Sequence, residues 1–305
     1  MSERTLKGLL IVALVLVAAW GASAIVGGRR GRGGVSDSPL RRTLAGVRED
    51  GVASVEIRRR TDTLRLAGKG GRWTVNGHRA DSLEVRRFWT AVDSARVTEL
   101  AARNPTHHQA LGVTGPEALT LVFRRDGGDS VRVLLGKAGP YYPSAYARLP
   151  GEDAVWLLRG TLRREASRPL ADWRDRTVVR VDTSAVRAVS IARHDTTVLL
   201  QRGDSAWTVD GGPADGTAAR ELLSQLADLQ ASGFAPDSAR PGAFERTVTV
   251  LGGGDDTLAV VRFSDRDEQG YFASVPGREV LFEVPAHRVD RVTPSPRTLR
   301  PSGSR

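Results

Sequence analysis

The 305-residue sequence has no cysteine, one methionine, five histidines and an aromatic share of only 6 %. Without cysteine there is no disulfide framework, thiolate metal site, iron–sulfur cluster or cysteine nucleophile. The histidines, His78, His107, His108, His194 and His287, are scattered. None sits in the His-Glu-x-x-His spacing that puts two ligands on one helix face, so no metal ligand is assigned. Lysine is nearly missing as well: Lys7, Lys69 and Lys137 stand alone among 45 basic residues, the rest being arginine. The net charge is +10, yet the arginines alternate with Asp and Glu along nearly every segment. Nucleic-acid binding needs a concentrated basic footprint, so no nucleic-acid partner is expected.

Signatures of chemistry are equally short. Gly136-Lys137 is followed by Ala138 where a phosphate loop needs Ser or Thr. Gly31 and Gly33 lack the preceding strand and following helix of a dinucleotide fingerprint. The loop from Asp265 to Gly270 begins like a calcium loop, but Pro276 occupies the position of the bidentate glutamate. No Gly-x-Ser-x-Gly elbow is present. No catalytic residue, cofactor site or metal site is therefore assigned, and the chain reads as non-enzymatic.

What is there begins with an uncharged run, Gly8 to Gly28. As a helix it would span roughly 31 Å, close to the roughly 30 Å hydrocarbon core of a bilayer. Residues 1–7 then form a cytoplasmic N-terminus and residues 8–28 a single-pass transmembrane anchor, with membrane lipid as a partner. The alternative is a secretory signal cleaved near Ala22-Ser23-Ala24, leaving a secreted or periplasmic protein. Both readings carry the rest of the chain across the membrane. Residues 29–43, rich in Gly, Arg and Ser, read as a tether, and residues 293–305, rich in Pro, Ser and Arg, as a disordered tail.

The rest is duplicated at an offset of 134 residues. Between positions 54 and 92, 12 of 39 residues recur without a gap, too many for chance. Trp73-Thr74-Val75-Asn76-Gly77 returns as Trp207-Thr208-Val209-Asp210-Gly211, and Ala80-Asp81 as Ala214-Asp215. A repeat of this length is a duplicated domain, not a solenoid unit. Each copy runs from short alternating strands into an amphipathic helix and then into a strand meander. Asp81 and Asp215 precede the helices as N-caps, Asp81-x-x-Glu84 having capping-box spacing. Trp73 and Trp207 read as core indoles on strands before those helices. The expected fold class is α+β: an N-terminal transmembrane helix, then two tandem domains, 44–170 and 176–292, each a mostly antiparallel sheet with one main helix. Residues 173–176 join them. Tyr141 and Tyr142, flanked by Pro140 and Pro143, are candidate ligand or partner contacts.

Several short motifs follow in order: Leu111-Gly112-Val113 with Pro116, Leu135-Gly136-Lys137, Tyr146-Ala147-Arg148 and Trp173-Arg174-Asp175-Arg176. Together with the Trp73 turn and the Ala80-Asp81 helix start, this order resembles the bacterial domain-of-unknown-function family 4340 over residues 44–290. The resemblance implies a cell-envelope protein of the kind often encoded beside ABC-transporter subunits associated with gliding motility, with no catalytic residues to carry over. The function expected is a membrane-anchored, extracytoplasmic accessory or scaffold protein with ABC-transporter subunits as candidate partners. The alternative is an envelope glycan-binding protein or hydrolase with a site between the two domains.

Overall fold

The computed structural model describes residues 35–236, 238–267 and 270–301. The run at 8–28 read as an anchor lies outside them. Among the described residues no helix is long and apolar enough to cross a membrane. The fold is α+β, with two large antiparallel sheets and few helices. The chain divides into two compact units after Asp175.

The first unit opens with α1 (Pro39–Ala45), β1 (Val52–Arg58), β2 (Thr63–Lys69), β3 (Arg72–Val75) and β4 (His78–Arg79). Then come α2 (Ser82–Ser94), β5 (Arg96–Ala102), β6 (Leu119–Arg125), β7 (Ser130–Ala138), β8 (Ser144–Arg148) and β9 (Val155–Arg159). Two short helices, α3 (Leu162–Ala166) and α4 (Leu170–Trp173), close it. Its nine strands lie in the order β4-β3-β2-β1-β6-β7-β8-β9-β5. The first four strands meander outward to one edge. Because β5 lies at the other edge, the α2 segment must carry the chain across the sheet.

The second unit begins with β10 (Thr177–Val179), β11 (Ala188–Arg193), β12 (Thr196–Arg202), β13 (Trp207–Val209) and β14 (Gly212–Pro213). It continues with α5 (Gly216–Ala227), β15 (Leu229–Gln230), β16 (Gly233–Phe234), β17 (Arg246–Leu251), β18 (Thr257–Asp267), β19 (Gly270–Ser274) and β20 (Phe282–Pro285). Its last elements are α6 (Ala286–Val292) and α7 (Pro296–Leu299). The order β14-β13-β12-β11-β17-β18-β19-β20-β16 repeats the first sheet strand for strand, and β10 pairs separately with β15. Trp73 and Trp207 occupy the same topological position, on the third strand of each meander.

The local chemistry that builds this crossing is shared. Asn76-Gly77 and Asp210-Gly211 all have positive φ, the requirement of a type I′ hairpin turn. The Asn76 Oδ1 accepts the Arg65 N–H at 2.7 Å, and Asp210 Oδ1 accepts that of Leu199 at 2.9 Å. Asp81 then caps α2 by accepting the N–H groups of Leu83 and Glu84 at 2.7 and 3.3 Å. Asp215 caps α5 by accepting those of Thr217 and Ala218 at 2.9 and 2.8 Å. Helical spacing buries Val85, Phe88, Trp89 and Val92 on α2, and Ala219, Leu222, Leu223 and Leu226 on α5. Each large side chain so covered contributes about 1.5–3 kcal/mol.

The structure departs from the sequence-based expectations in five places. The first concerns the capping box at Asp81-x-x-Glu84, of which only one arm forms. Glu84 instead pairs with Arg87 at 2.5 Å and with Arg168, and the Asp81 N–H donates to Trp173 O at 2.8 Å. Second, residues 29–43 are not all tether. Ser38 Oγ accepts the Arg41 N–H, Pro39 opens α1, and Leu40 and Leu44 are buried in the core of the first unit. Third, residues 173–175 are not a mere joint. Trp173 is in that same core, Ala80 bridges Arg174, and the Asp175 N–H donates to Arg79 O at 2.9 Å. The first unit thus ends at Asp175, past the expected limit of 170.

Fourth, residues 293–305 are not wholly a disordered tail. Ser295 caps α7, Pro296 opens it, Thr293 is fully buried, and Leu299 lies at 0 % exposure in the second core. Fifth, the strand β5 had no counterpart in the sequence reading. Its pairing with β9 shifts register twice and Val97 alone is buried, so no clean alternation marks it.

The returning chain closes both units alike. Asp215 donates its N–H to Leu299 O at 2.8 Å, as Asp81 does to Trp173. Leu299→Ala should therefore destabilise the second unit by about 2–5 kcal/mol, the usual result of emptying a buried leucine site. Termination after Val292 should cost at least as much. Hydrogen exchange read over residues 188–284 measures both, and unchanged protection in the truncated chain would refute the closure.

Candidate functional site

The paired tryptophans, expected as core indoles, are only partly buried and pack against the edges of their cores. Trp73 stands opposite Gly68 in the β2–β3 register, and a Cβ at Gly68 would lie 3.0 Å from the indole. With that space free, the ring packs 5.7 Å from Trp89, and its Nε1 donates to Glu49 Oε1 at 3.0 Å. The equivalent of Gly68 in the second unit is Arg202, which faces Trp207 and holds its guanidinium 5.0 Å from the ring centroid. Asp81 and Asp215 spend their carboxylates on helix caps. Among the described residues, no three His, Asp or Glu side chains group as a metal ion would need.

Three of the short motifs meet at one place. Lys137 N–H donates to Leu111 O at 2.9 Å, and a Cβ on Gly136 would overlap Leu111 O and Val113 Cγ1. Leu111-Gly112-Val113 can therefore lie on Leu135-Gly136-Lys137 only because position 136 is glycine. Arg148 donates to Val113 O at 3.0 Å and to Glu152 O at 3.1 Å. Burial lowers the pKa of that guanidinium from its ordinary value. The motifs thus build a scaffold around the loop of residues 103–118 and the end of β7.

Beside that scaffold lies the tyrosine loop, residues 139–143, between β7 and β8. Tyr141 is 66 % and Tyr142 81 % exposed. The loop is nonetheless well tied. Gly139 N–H donates to Ser144 O, Gly160 N–H to Pro143 O, and Ser144 Oγ to Tyr141 O. Arg164 Nη1 donates to the Tyr142 hydroxyl at 3.0 Å. Hydrogen bonds to Glu165 first, and then to Tyr142, raise the Arg164 pKa from its ordinary value. Between this loop and α3 lies a mostly apolar groove of about 390 Å³, lined by Ala138, Tyr142, Pro143, Arg163, Arg164 and Arg168 among others.

Beneath the groove an ion-pair network fixes α3. The Glu165 side chain is only 4 % exposed and sits between Arg164 at 2.7 Å and Arg168 at 2.9 Å. The Arg168 contact to Glu165 Oε2 is an ion pair off the line of a hydrogen bond. Arg168 also reaches Glu84 on α2, and Arg163 Nε donates to Gly136 O. This arginine set escaped the sequence reading. Its members come from one helix and the turn after it, and only the fold reveals that they face Tyr142.

The second unit treats its tyrosine differently. Its β18 and β19 are joined through two residues, and Tyr271, the second residue of β19, is partly buried. Arg246 bonds the Tyr271 hydroxyl and pairs with Asp290 at 2.8 Å. Burial raises the Tyr271 phenol above its ordinary pKa. A folded-state pKa above the unfolded one means stability that is complete below about pH 10 and lost as pH rises through the folded value. Tyr271→Phe should therefore lessen the alkaline loss of stability of the second unit, read by denaturant titration between pH 8 and 11. An unchanged alkaline slope would refute this.

The family described as a domain of unknown function (DUF4340) matches residues 73–246. The match is narrower than the 44–290 read from the motifs, running from within β3 to the start of β17. No curated protein and no solved structure matches the chain. The matched stretch exceeds half of the sequence and takes in the helix caps, the scaffold motifs and the tyrosine loop: the chain belongs to the DUF4340 family.

Proposed function

We propose that this protein is a non-enzymatic binding protein of the cell envelope. It would be held to the membrane by residues 8–28, with both units outside the cytoplasm, as an accessory or scaffold to an ABC-type transporter. The observation that carries the binding reading is the tyrosine loop. Two nearly identical topologies stand in one chain, and one of them joins its seventh and eighth strand equivalents through two residues. The five-residue loop of the first unit, with Tyr141 and Tyr142 exposed, is therefore not needed to close the sheet. Tyrosine and arginine together are the side chains that dominate protein interfaces, since a planar ring loses little entropy on burial. The uncharged run of 21 residues supports the anchor, and the family resemblance supports the transporter setting.

Crosslinking in native membranes followed by purification of the full chain tests the reading. ABC-transporter subunits should be recovered with the wild type and lost with a Tyr141→Ser, Tyr142→Ser double variant that keeps its hydrogen-exchange protection. Recovery of the same subunits by the double variant would remove the tyrosines from the interface. Recovery of none by the wild type would overturn the accessory role, as would turnover of a polysaccharide or peptide by the purified chain. Protease added to intact spheroplasts should digest both units; protection would reverse the orientation.

A further inference from the structure

The groove beside Tyr142 has a charge pattern that selects its occupant. Three arginines line it and no acidic side chain does. Arg164 and Arg168 share the buried Glu165 behind the wall, and Arg168 is also held by Glu84. Arg163 differs. Its Nε is committed to Gly136 O, and among the described residues no carboxylate pairs with it. Arg163 thus brings a positive charge with no carboxylate against it to the lining of a mostly apolar groove of about 390 Å³. A guanidinium held in place by one N–H offers its remaining N–H donors in a fixed fork, the geometry that suits a carboxylate.

We propose that this groove takes an extended acidic peptide segment of a partner protein. An apolar side chain would lie against Tyr142, Pro143 and Ala138, and an adjacent Asp or Glu would reach Arg163. The proposal rests on the reading of the chain as a binding protein and names the chemistry of its partner. The apolar wall favours a peptide over a sugar chain, whose dense hydroxyls need polar groups along the whole surface. Tyr142, held by Arg164 through its hydroxyl and by Pro143 on its C-terminal side, presents its ring already ordered, which lowers the entropic cost of binding.

The test uses the full chain purified in detergent and a phage-displayed library of random dodecapeptides. Enriched sequences should carry Asp or Glu within a few residues of a large apolar side chain. Anisotropy with the synthesised peptides should show about a tenfold loss of affinity for Arg163→Gln and for Tyr142→Ala, and a smaller loss for Tyr142→Phe, which keeps the ring but gives up the tie from Arg164. Glutamine keeps an N–H to offer Gly136 O, so this variant removes the charge while sparing the scaffold; hydrogen exchange checks that both variants are folded. Rising salt should weaken wild-type binding more than binding by Arg163→Gln. Enrichment without acidic residues, or affinity indifferent to Arg163→Gln, would overturn the proposal. So would polygalacturonate that binds more tightly than the peptides and depends on the same residues, which would assign the groove to an anionic glycan. The two readings fail separately. If crosslinked subunits depend on the tyrosines while no acidic peptide is enriched, the groove proposal alone falls. If peptides bind as expected and no transporter subunit is recovered, the accessory role alone falls.

Discussion

Everything in each unit depends on one helix start. The four-strand meander ends at one edge of the sheet and the chain re-enters the sheet at the other edge after the helix, as β5 in the first unit and β16 in the second, so the helix segment must cross, and the place where it begins fixes the crossing. Asp81 and Asp215 hold that place twice over. Their carboxylates accept N–H groups of the first helical turn, which would otherwise be unpaired. Their own N–H groups donate to the carbonyls of Trp173 and Leu299, which return from the far end of each unit. A single aspartate therefore ties the first half of a unit to its last residues, and those last residues carry a large buried side chain to the same spot.

The two copies satisfy this constraint with different cores. Around the first helix, Phe88, Trp89, Phe123, Trp173 and Trp73 form a chain of ring contacts between 5.5 and 6.4 Å. By offset and strand register, Phe88, Trp89 and Phe123 correspond to Leu222, Leu223 and Val250, and the closing Trp173 to Leu299. Replacing rings with aliphatic chains at several facing positions together keeps a core packed, whereas any one replacement alone would leave a void. Gly68 and Arg202 belong to the same divergence. Glycine lets Trp73 lie against the strand and meet Trp89, while Arg202 covers Trp207, which has no Trp89 equivalent to meet.

This explains what could be read in advance and what could not. The helix stripes, the Asx-Gly turns and the long hairpins were legible because each is a local pattern of period or turn chemistry. Strand β5 was not, since an edge strand with two register shifts buries too little to alternate. The segments at 39–45 and 296–299 have the composition of a tether and a tail, although Ser38-Pro39 and Ser295-Pro296 are both N-cap and first-turn signals and Leu40 with Leu44 has helical spacing. The exposure of Tyr141 and Tyr142 agrees with a loop flanked by prolines. Their arginine neighbours were hidden, because Arg163, Arg164 and Arg168 are separated from Tyr142 by β8 and β9 and meet it only once those strands have folded back.

That fold-back also couples the groove to the core. Arg168 spans from Glu165 on α3 to Glu84 on α2, three residues past the capping aspartate. Arg163 grips the carbonyl of Gly136, the residue whose missing side chain lets the loop at 111–113 settle. The wall that bears Tyr142 is thus held from two sides by groups that also fix the helix start and the motif scaffold. Buried ion pairs of this kind add little net stability, because desolvation offsets most of their attraction. Their effect is geometric: they tie the groove wall to α2 through Glu84, one turn from the aspartate cap that organises the sheet.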